Sequence, residues 1–107
     1  MLKQPQQIKK NHALITLCDN YSFDSVENRL ILNNSIEVEM GPKALKLIAF
    51  LCKKPNVSIS NTQIMYEIYG EEVPIQTLRS LMHRIRVRSS AELIKNVNAI
   101  GYKIVTT

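Results

Sequence analysis

Between Pro74 and Arg88 the chain repeats apolar residues at helical spacing: Ile75, Leu78, Met82 and Ile85 fall three or four apart, and Leu81 widens the stripe. In a helix of 3.6 residues per turn these positions share one face, so the segment is a helix that needs apolar cover along one side. Its other side is equally constrained. Arg79, Arg84, Arg86 and Arg88 bring a formal charge of +4, and no acidic residue lies between 74 and 88. The rest of the chain must cover the stripe and leave the arginines to water or to a partner of opposite sign.

With 107 residues, 45% of them hydrophobic, there is material for one domain with one modest core. Residues 1–12 are polar and aperiodic and read as a linker or flexible segment, leaving 13–107 as the folded domain. Short β-prone pieces then follow at Ala13 to Cys18, Tyr21 to Asp24, Arg29 to Leu32 and Ile36 to Glu39. They are separated by turn residues, among them Asn33-Asn34, and asparagine tolerates the positive φ that tight hairpins require. The group reads as an antiparallel meander of four strands. Ile36, Val38 and Met40 alternate with Glu37 and Glu39, which predicts one buried and one wet face. Gly41-Pro42 opens a first helix with Ala44, Leu45, Ile48, Leu51 and Cys52 as its apolar stripe, ending before Pro55. Ser58 or Ser60 caps a second helix, which buries Ile64, Met65, Ile68 and Tyr69 and stops at Gly70. The acidic loop Glu71-Glu72-Val73 leads into the arginine helix. Last come two strands, Ile94 to Val97 and Tyr102 to Val105, around a turn at Asn98 to Gly101.

Several classes of chemistry are disfavoured. Cys18 and Cys52 make neither a disulfide framework nor a metal-ligand set, and Cys52 falls on the apolar stripe of its helix. His12 and His83 have no ligand partner at suitable spacing, so neither a metal nor a cofactor is expected. Gly41, Gly70 and Gly101 stand singly, which is no phosphate-cradling loop, and no nucleophile has a base and orienter; an enzyme is not expected. No apolar run approaches the roughly 20 residues of a membrane span, and the start of the chain lacks the apolar region of a signal peptide, so a cytoplasmic location without membrane contact is expected.

Charge is strongly segregated. Residues 15–39 carry −4 and 55–73 carry −3, while 40–54 and 74–88 carry +4 each, within a net charge of +5. Such segregation favours a polyanion on one face. Two helices joined by a short loop, the second basic, have the form of a helix-turn-helix, and the terminal hairpin is a candidate wing. Gln76 to Arg88 makes a rod about 20 Å long, which the major groove of B-DNA admits.

On these residues the chain resembles the C-terminal effector domains of OmpR/PhoB-type response regulators. The last helix of that family runs Arg-Thr-Val-x-x-x-Ile-x-x-Leu-Arg-x-Lys, and here Gln76-Thr77-Leu78 through Arg86-Val87-Arg88 occupies it. The family's closing Ile-x-Thr-Val-Arg-Gly-x-Gly-Tyr-Arg is matched by Ile94 to Lys103. The resemblance implies an α+β winged helix-turn-helix with an N-terminal four-stranded antiparallel sheet, three helices and a C-terminal β-hairpin wing. It further implies sequence-specific binding of double-stranded DNA in transcription control, with helix 74–88 in the major groove and the wing, 94–105, at the minor groove. The partners it implies are a second subunit on DNA repeats, an upstream receiver domain with its sensor kinase, and RNA polymerase through the 70–76 loop. By position in the motif, Arg84 is the base-reading arginine, with Arg79, Ser80 and His83 beside it. Thr77, Arg86, Arg88, Tyr69, Tyr102 and Lys103 are the phosphate candidates, and Asn96, Asn98 and Ala99 the minor-groove ones. Tyr102 is equally readable as a core aromatic and Arg88 as a solvated charge. Four departures stand out: Gln76 replaces an arginine, Asn98-Ala99 replaces Arg-Gly, Tyr69 replaces a tryptophan, and the loop from Gly70 to Gln76 is shorter than is common in the family. A winged-helix protein-interaction module, or an orphan regulator without phosphorylation control, is the alternative reading.

Overall fold

The computed structural model describes residues 14–106; the linker expected at 1–12 lies outside them. Four short strands come first: β1 (Leu14–Thr16), β2 (Tyr21–Asp24), β3 (Arg29–Leu32) and β4 (Ile36–Val38), paired antiparallel in sequence order. Helices α1 (Pro42–Cys52), α2 (Asn61–Tyr69) and α3 (Ile75–Arg88) follow. Strand β5 (Ile59–Ser60) precedes α2, and the hairpin of β6 (Ile94–Val97) and β7 (Gly101–Ile104) closes the chain.

Asparagines and one aspartate make the turns. Asp19 and Asn20 join β1 to β2 at φ +55° and +66°, and Asn33 and Asn34 join β3 to β4 at +54° and +62°. Between β2 and β3 the buried Asp24 carboxylate accepts from the N–H groups of Val26 and Glu27 at 3.0 Å each, and Asn28 turns at φ +56°. Arg29 supplies that carboxylate with a counter-ion at 3.5 Å, so the buried charge is satisfied on both counts. Ser60 caps α2: its hydroxyl accepts from Gln63 N–H while the Gln63 amide oxygen accepts from Ser60 N–H, a capping box. Gly70 ends the helix at φ +77°.

Three features differ from the sequence expectation. Ile36 is 53% exposed, because the meander ends at its β4 edge and only Val38 and Met40 reach the core. The last strand begins at Gly101 rather than Tyr102, since Gly101 pairs with Val97 to close the turn. Strand β5 was not foreseen; it pairs antiparallel with β7, giving a three-stranded sheet of order β5-β7-β6.

The core lies where α1 packs on α2, α3 and β7. Phe23 and Leu30 enter it from the meander, Leu47, Ile48 and Leu51 from α1, Ile64 from α2, and Leu93, Ile94 and Ile104 from the C-terminal end. Leu78, Leu81, Met82 and Ile85 of α3 are almost fully buried in it. Each such side chain contributes roughly 1.5–3 kcal/mol, ample to hold a helix in which Thr77, Ile85 and Val87 lower the intrinsic propensity. Cys52 is buried among them, and desolvation pushes its thiol up to about 12. Cys18 is also a free thiol, raised first by burial and then by the neighbouring Asp19 charge.

Candidate nucleic-acid interface

Burying Leu78, Leu81, Met82 and Ile85 decides what α3 presents outward. At 100° per residue, the opposite side of the helix carries Gln76, Ser80, His83 and Val87, all exposed. Thr77, Arg84 and Arg88 border this stripe on one flank and Arg79 on the other; all four are exposed. Among the described residues the ion pairs are Arg29–Asp24, Arg29–Glu37 and Lys95–Glu92, so none of the four α3 arginines is neutralised by a carboxylate. The helix also places Arg86 and Arg88 in its last turn, where cations suit the dipole. The result is an exposed helical face with uncompensated positive charge.

Its two flanks lead to different neighbours. Arg84 and Arg88 line an open groove between α3, the end of β4 and the start of α1, with Glu37, Glu39, Met40 and Lys43 on its far side, though neither glutamate is within ion-pair distance of the α3 arginines. Arg88 Nη1 donates to the Glu39 carbonyl at 3.3 Å. On the opposite flank, Arg86 is half-buried and turned toward the hairpin. Its Nε and Nη2 both donate to the Ile94 carbonyl, at 3.2 and 2.9 Å, and its guanidinium carbon lies 5.7 Å from the centre of the Tyr102 ring. The reason lies in the strand register. Val105 N–H donates to the Leu93 carbonyl around the Ile94–Ile104 pair, so the Ile94 carbonyl points away from β7 and needs a donor from elsewhere.

At the hairpin tip, Asn98 and Ala99 take φ +51° and +59°, as the two central residues of a type I′ turn must, and Ile100 N–H donates to the Val97 carbonyl at 2.9 Å. The Asn96 side-chain oxygen accepts from Ala99 N–H at 2.9 Å. From the other side, the Asn61 side-chain amide donates to the Ala99 carbonyl at 3.2 Å. Asn61 N–H also donates to the Ile100 carbonyl at 2.9 Å, so the start of α2 braces the tip. Ile100 itself is 65% exposed. Gly101 is required by proximity: a Cβ there would lie 2.0 Å from the Ile59 carbonyl oxygen.

The residues singled out in the sequence therefore divide into groups. Arg79, Ser80, His83, Arg84, Thr77 and Arg88 share the exposed face and flanks of α3, and Asn96, Asn98 and Ala99 share the tip. Lys103 is half-buried and pairs with Lys95 on the outer face of the hairpin, where Lys95 is bound to Glu92. Tyr69 is half-buried at the end of α2, with the Lys43 ammonium 5.5 Å from its ring centre. Tyr102, only 3% exposed, faces the core and stacks with Arg86, which sets these two apart from the solvent-facing group. Sequence reasoning missed two contributors, Asn61 as a brace and Val87 as an exposed member of the outward stripe. The i, i+3, i+4, i+7 spacing of Ser80, His83, Arg84 and Val87 was the available signal for the second.

Among the described residues, no cluster of three or more His, Cys, Asp or Glu could hold a metal ion, and no helix is long and apolar enough to cross a membrane. The family model described as "Transcriptional regulatory protein, C terminal" matches residues 35–104. The transcriptional regulatory protein SrrA of Staphylococcus aureus is 29% identical over 90 residues, covering 76% of this chain and 36% of SrrA, so the chain spans about a third of the length of the curated relatives it matches. The response regulator DrrB of Thermotoga maritima, an OmpR/PhoB homologue, superposes with a TM-score of 0.75 at 14% identity, over 97% of this chain and 50% of that one. The DNA-binding domain of Klebsiella pneumoniae RstA, solved in complex with the RstA box, superposes with a TM-score of 0.74 at 15% identity, over 88% of this chain and 98% of that one. At these identities the likeness is one of fold: a winged helix-turn-helix, with α2 and α3 as its helix pair and β6–β7 as its wing.

Proposed function

Because this chain belongs to the family of C-terminal domains of transcriptional regulatory proteins, we propose that it binds double-stranded DNA sequence-selectively as the effector domain of a bacterial two-component response regulator. The observation that carries this reading is the outward face of α3, where exposed polar and cationic side chains stand with no carboxylate paired to any of the four arginines. A helix of this width enters the major groove, and its cations displace the counter-ions condensed on the phosphates.

Roles follow from position. Arg84, with a planar fork suited to guanine O6 and N7, reads bases together with Ser80, His83 and Arg79. Thr77, Arg88 and Lys103 hold phosphates, and the Tyr69 hydroxyl adds a neutral donor at the end of α2. Asn96, Asn98 and Ala99 approach the minor groove with polar groups but no charge. Arg86 and Tyr102 serve DNA indirectly, by setting the wing against α3, since both are occupied within the fold. A receiver domain upstream, its sensor kinase, pairing of subunits on repeated half-sites, polymerase contact through the acidic 70–76 loop and a cytoplasmic location complete the reading. Family membership supports this part of the reading, and the roughly two thirds of SrrA outside the match leaves room for a further domain in that relative.

A salt titration with duplexes obtained by binding-site selection tests it. Log affinity is expected to fall linearly with log salt, with a slope magnitude of roughly 3 to 5 for one domain. Arg84→Ala is expected to cost about 1–3 kcal/mol on the best site and to relax the preference at one base pair. Salt-independent affinity, or no enrichment of any sequence, rejects the reading.

A further inference from the structure

The outward stripe of α3 contains one residue that solubility does not explain. Val87 is 68% exposed, the most exposed large apolar side chain of the helix, and it stands one turn beyond His83, between Arg84 and Arg88 on one side and Arg86 on the other. It contributes nothing to the core, and a β-branched residue near a helix end lowers helix propensity. Ser80, His83, Arg84 and Val87 fall at i, i+3, i+4 and i+7, so whatever meets the first three also meets Val87.

Resting on the DNA-binding reading above, we propose that Val87 is a specificity-determining residue that packs on the C5-methyl group of a thymine in the major groove. Among the four bases only thymine offers an apolar group on its major-groove edge. Arg84 and Arg88 on one flank and Arg79 on the other border the stripe, which leaves the isopropyl group of Val87 on the outward face between them. From Ser80 to Val87 the helix rises about 10 Å, so the thymine that Val87 reads belongs to a different base pair from the one nearest Ser80. Val87 offers no hydrogen bond, so it discriminates through apolar contact alone, complementing the hydrogen-bonding readout by Arg84.

Deoxyuridine tests this directly, because it lacks only the C5-methyl and keeps every pairing and groove hydrogen bond. Each thymine of the selected half-site is replaced singly by deoxyuridine, and affinity is measured for the natural chain and for Val87→Ala. Burial of one methyl group corresponds to about a fourfold change in affinity, so one thymine is expected to show a loss of about that size with the natural chain. Val87→Ala is expected to bind the thymine and deoxyuridine duplexes alike at that position, with its melting temperature unchanged or slightly raised, because the side chain is mostly exposed and alanine favours the helix. If selective binding is intact but no thymine position responds, or if the response persists in Val87→Ala, the assignment is overturned. If no sequence is selected at all, the DNA-binding reading falls and this proposal falls with it.

Discussion

Replacing Arg86 by alanine separates a residue that holds the fold from one that holds DNA. In the structure its guanidinium gives two N–H groups to the outward-pointing Ile94 carbonyl and lies over the Tyr102 ring. A hydrogen bond from a charged donor contributes about 1.5–3 kcal/mol, and a half-exposed cation–π contact adds about 0.5 kcal/mol. Some of the first figure returns when water reaches the freed carbonyl at the sheet edge, which leaves an expected loss of about 2 kcal/mol. In a domain of this size that lowers the melting temperature by roughly 8 to 16 °C. The assay is urea or thermal unfolding of the domain without DNA, comparing the natural chain with Arg86→Ala and Arg86→Lys. Lysine keeps the charge but not the planar fork, so it is expected to fall between the other two. An Arg86→Ala variant as stable as the natural chain to within about 0.5 kcal/mol, with a salt slope of DNA binding reduced by about one, would refute this reasoning and return Arg86 to phosphate contact.

Gly101→Ala places a methyl group 2.0 Å from the Ile59 carbonyl oxygen and 2.9 Å from Ser60 Cα. Backbone cannot yield there without breaking the β5–β7 pairing, so a loss of about 3 kcal/mol or more is expected in urea unfolding. Asn98→Arg restores a cation to the wing tip and is expected to steepen the salt slope by about one, chiefly on sites flanked by A-tracts. It also forces arginine into the φ +51° conformation that asparagine tolerates, and the melting temperature should fall modestly. Burial raises the Cys52 thiol from 9.0 to about 12, so the neutral thiol's contribution to stability is complete below pH 9 and is lost as pH climbs from 9 toward 12. Melting temperature followed across pH 8 to 11 is therefore expected to decline less steeply in Cys52→Ala than in the natural chain, around about one pH unit past 9.

Local chemistry made most of the fold legible from sequence. Asn33-Asn34 announces its hairpin because few other residues accept positive φ, and the serines at 58 and 60 announce a helix start, with the choice of Ser60 decided by its reciprocal bonds to Gln63 in the structure. The apolar stripe of α3 likewise determines which arginines face solvent, so the grouping of Arg79, Ser80, His83 and Arg84 needs no coordinates. What escaped depends on distant backbone. β5 is only two residues long and exists because Gly101 and Tyr102, some forty positions later, offer it a pairing edge. The turn of Arg86 toward the hairpin is invisible in the sequence, because neither motif position nor side-chain periodicity records an Ile94 carbonyl that lacks a donor. Ile36 matched the alternation of a buried face, yet the sheet ends before the core can cover it.

Ser60 is at once the last residue of β5 and the cap of α2, and the strand it belongs to is paired with the strand that leaves the wing. The hairpin is thereby tied to the helix pair through continuous backbone, with Asn61 adding two more bonds to its tip. A wing on a free hinge would lose its orientational freedom at the moment of docking, at about 1–2 kcal/mol for each backbone residue immobilised. Here that freedom is surrendered when the domain folds, so α3 and the hairpin meet a surface as one preorganised body. Loosening the tie, as Asn61→Ala would, should then raise the entropic cost of association while leaving every side chain that faces the partner in place.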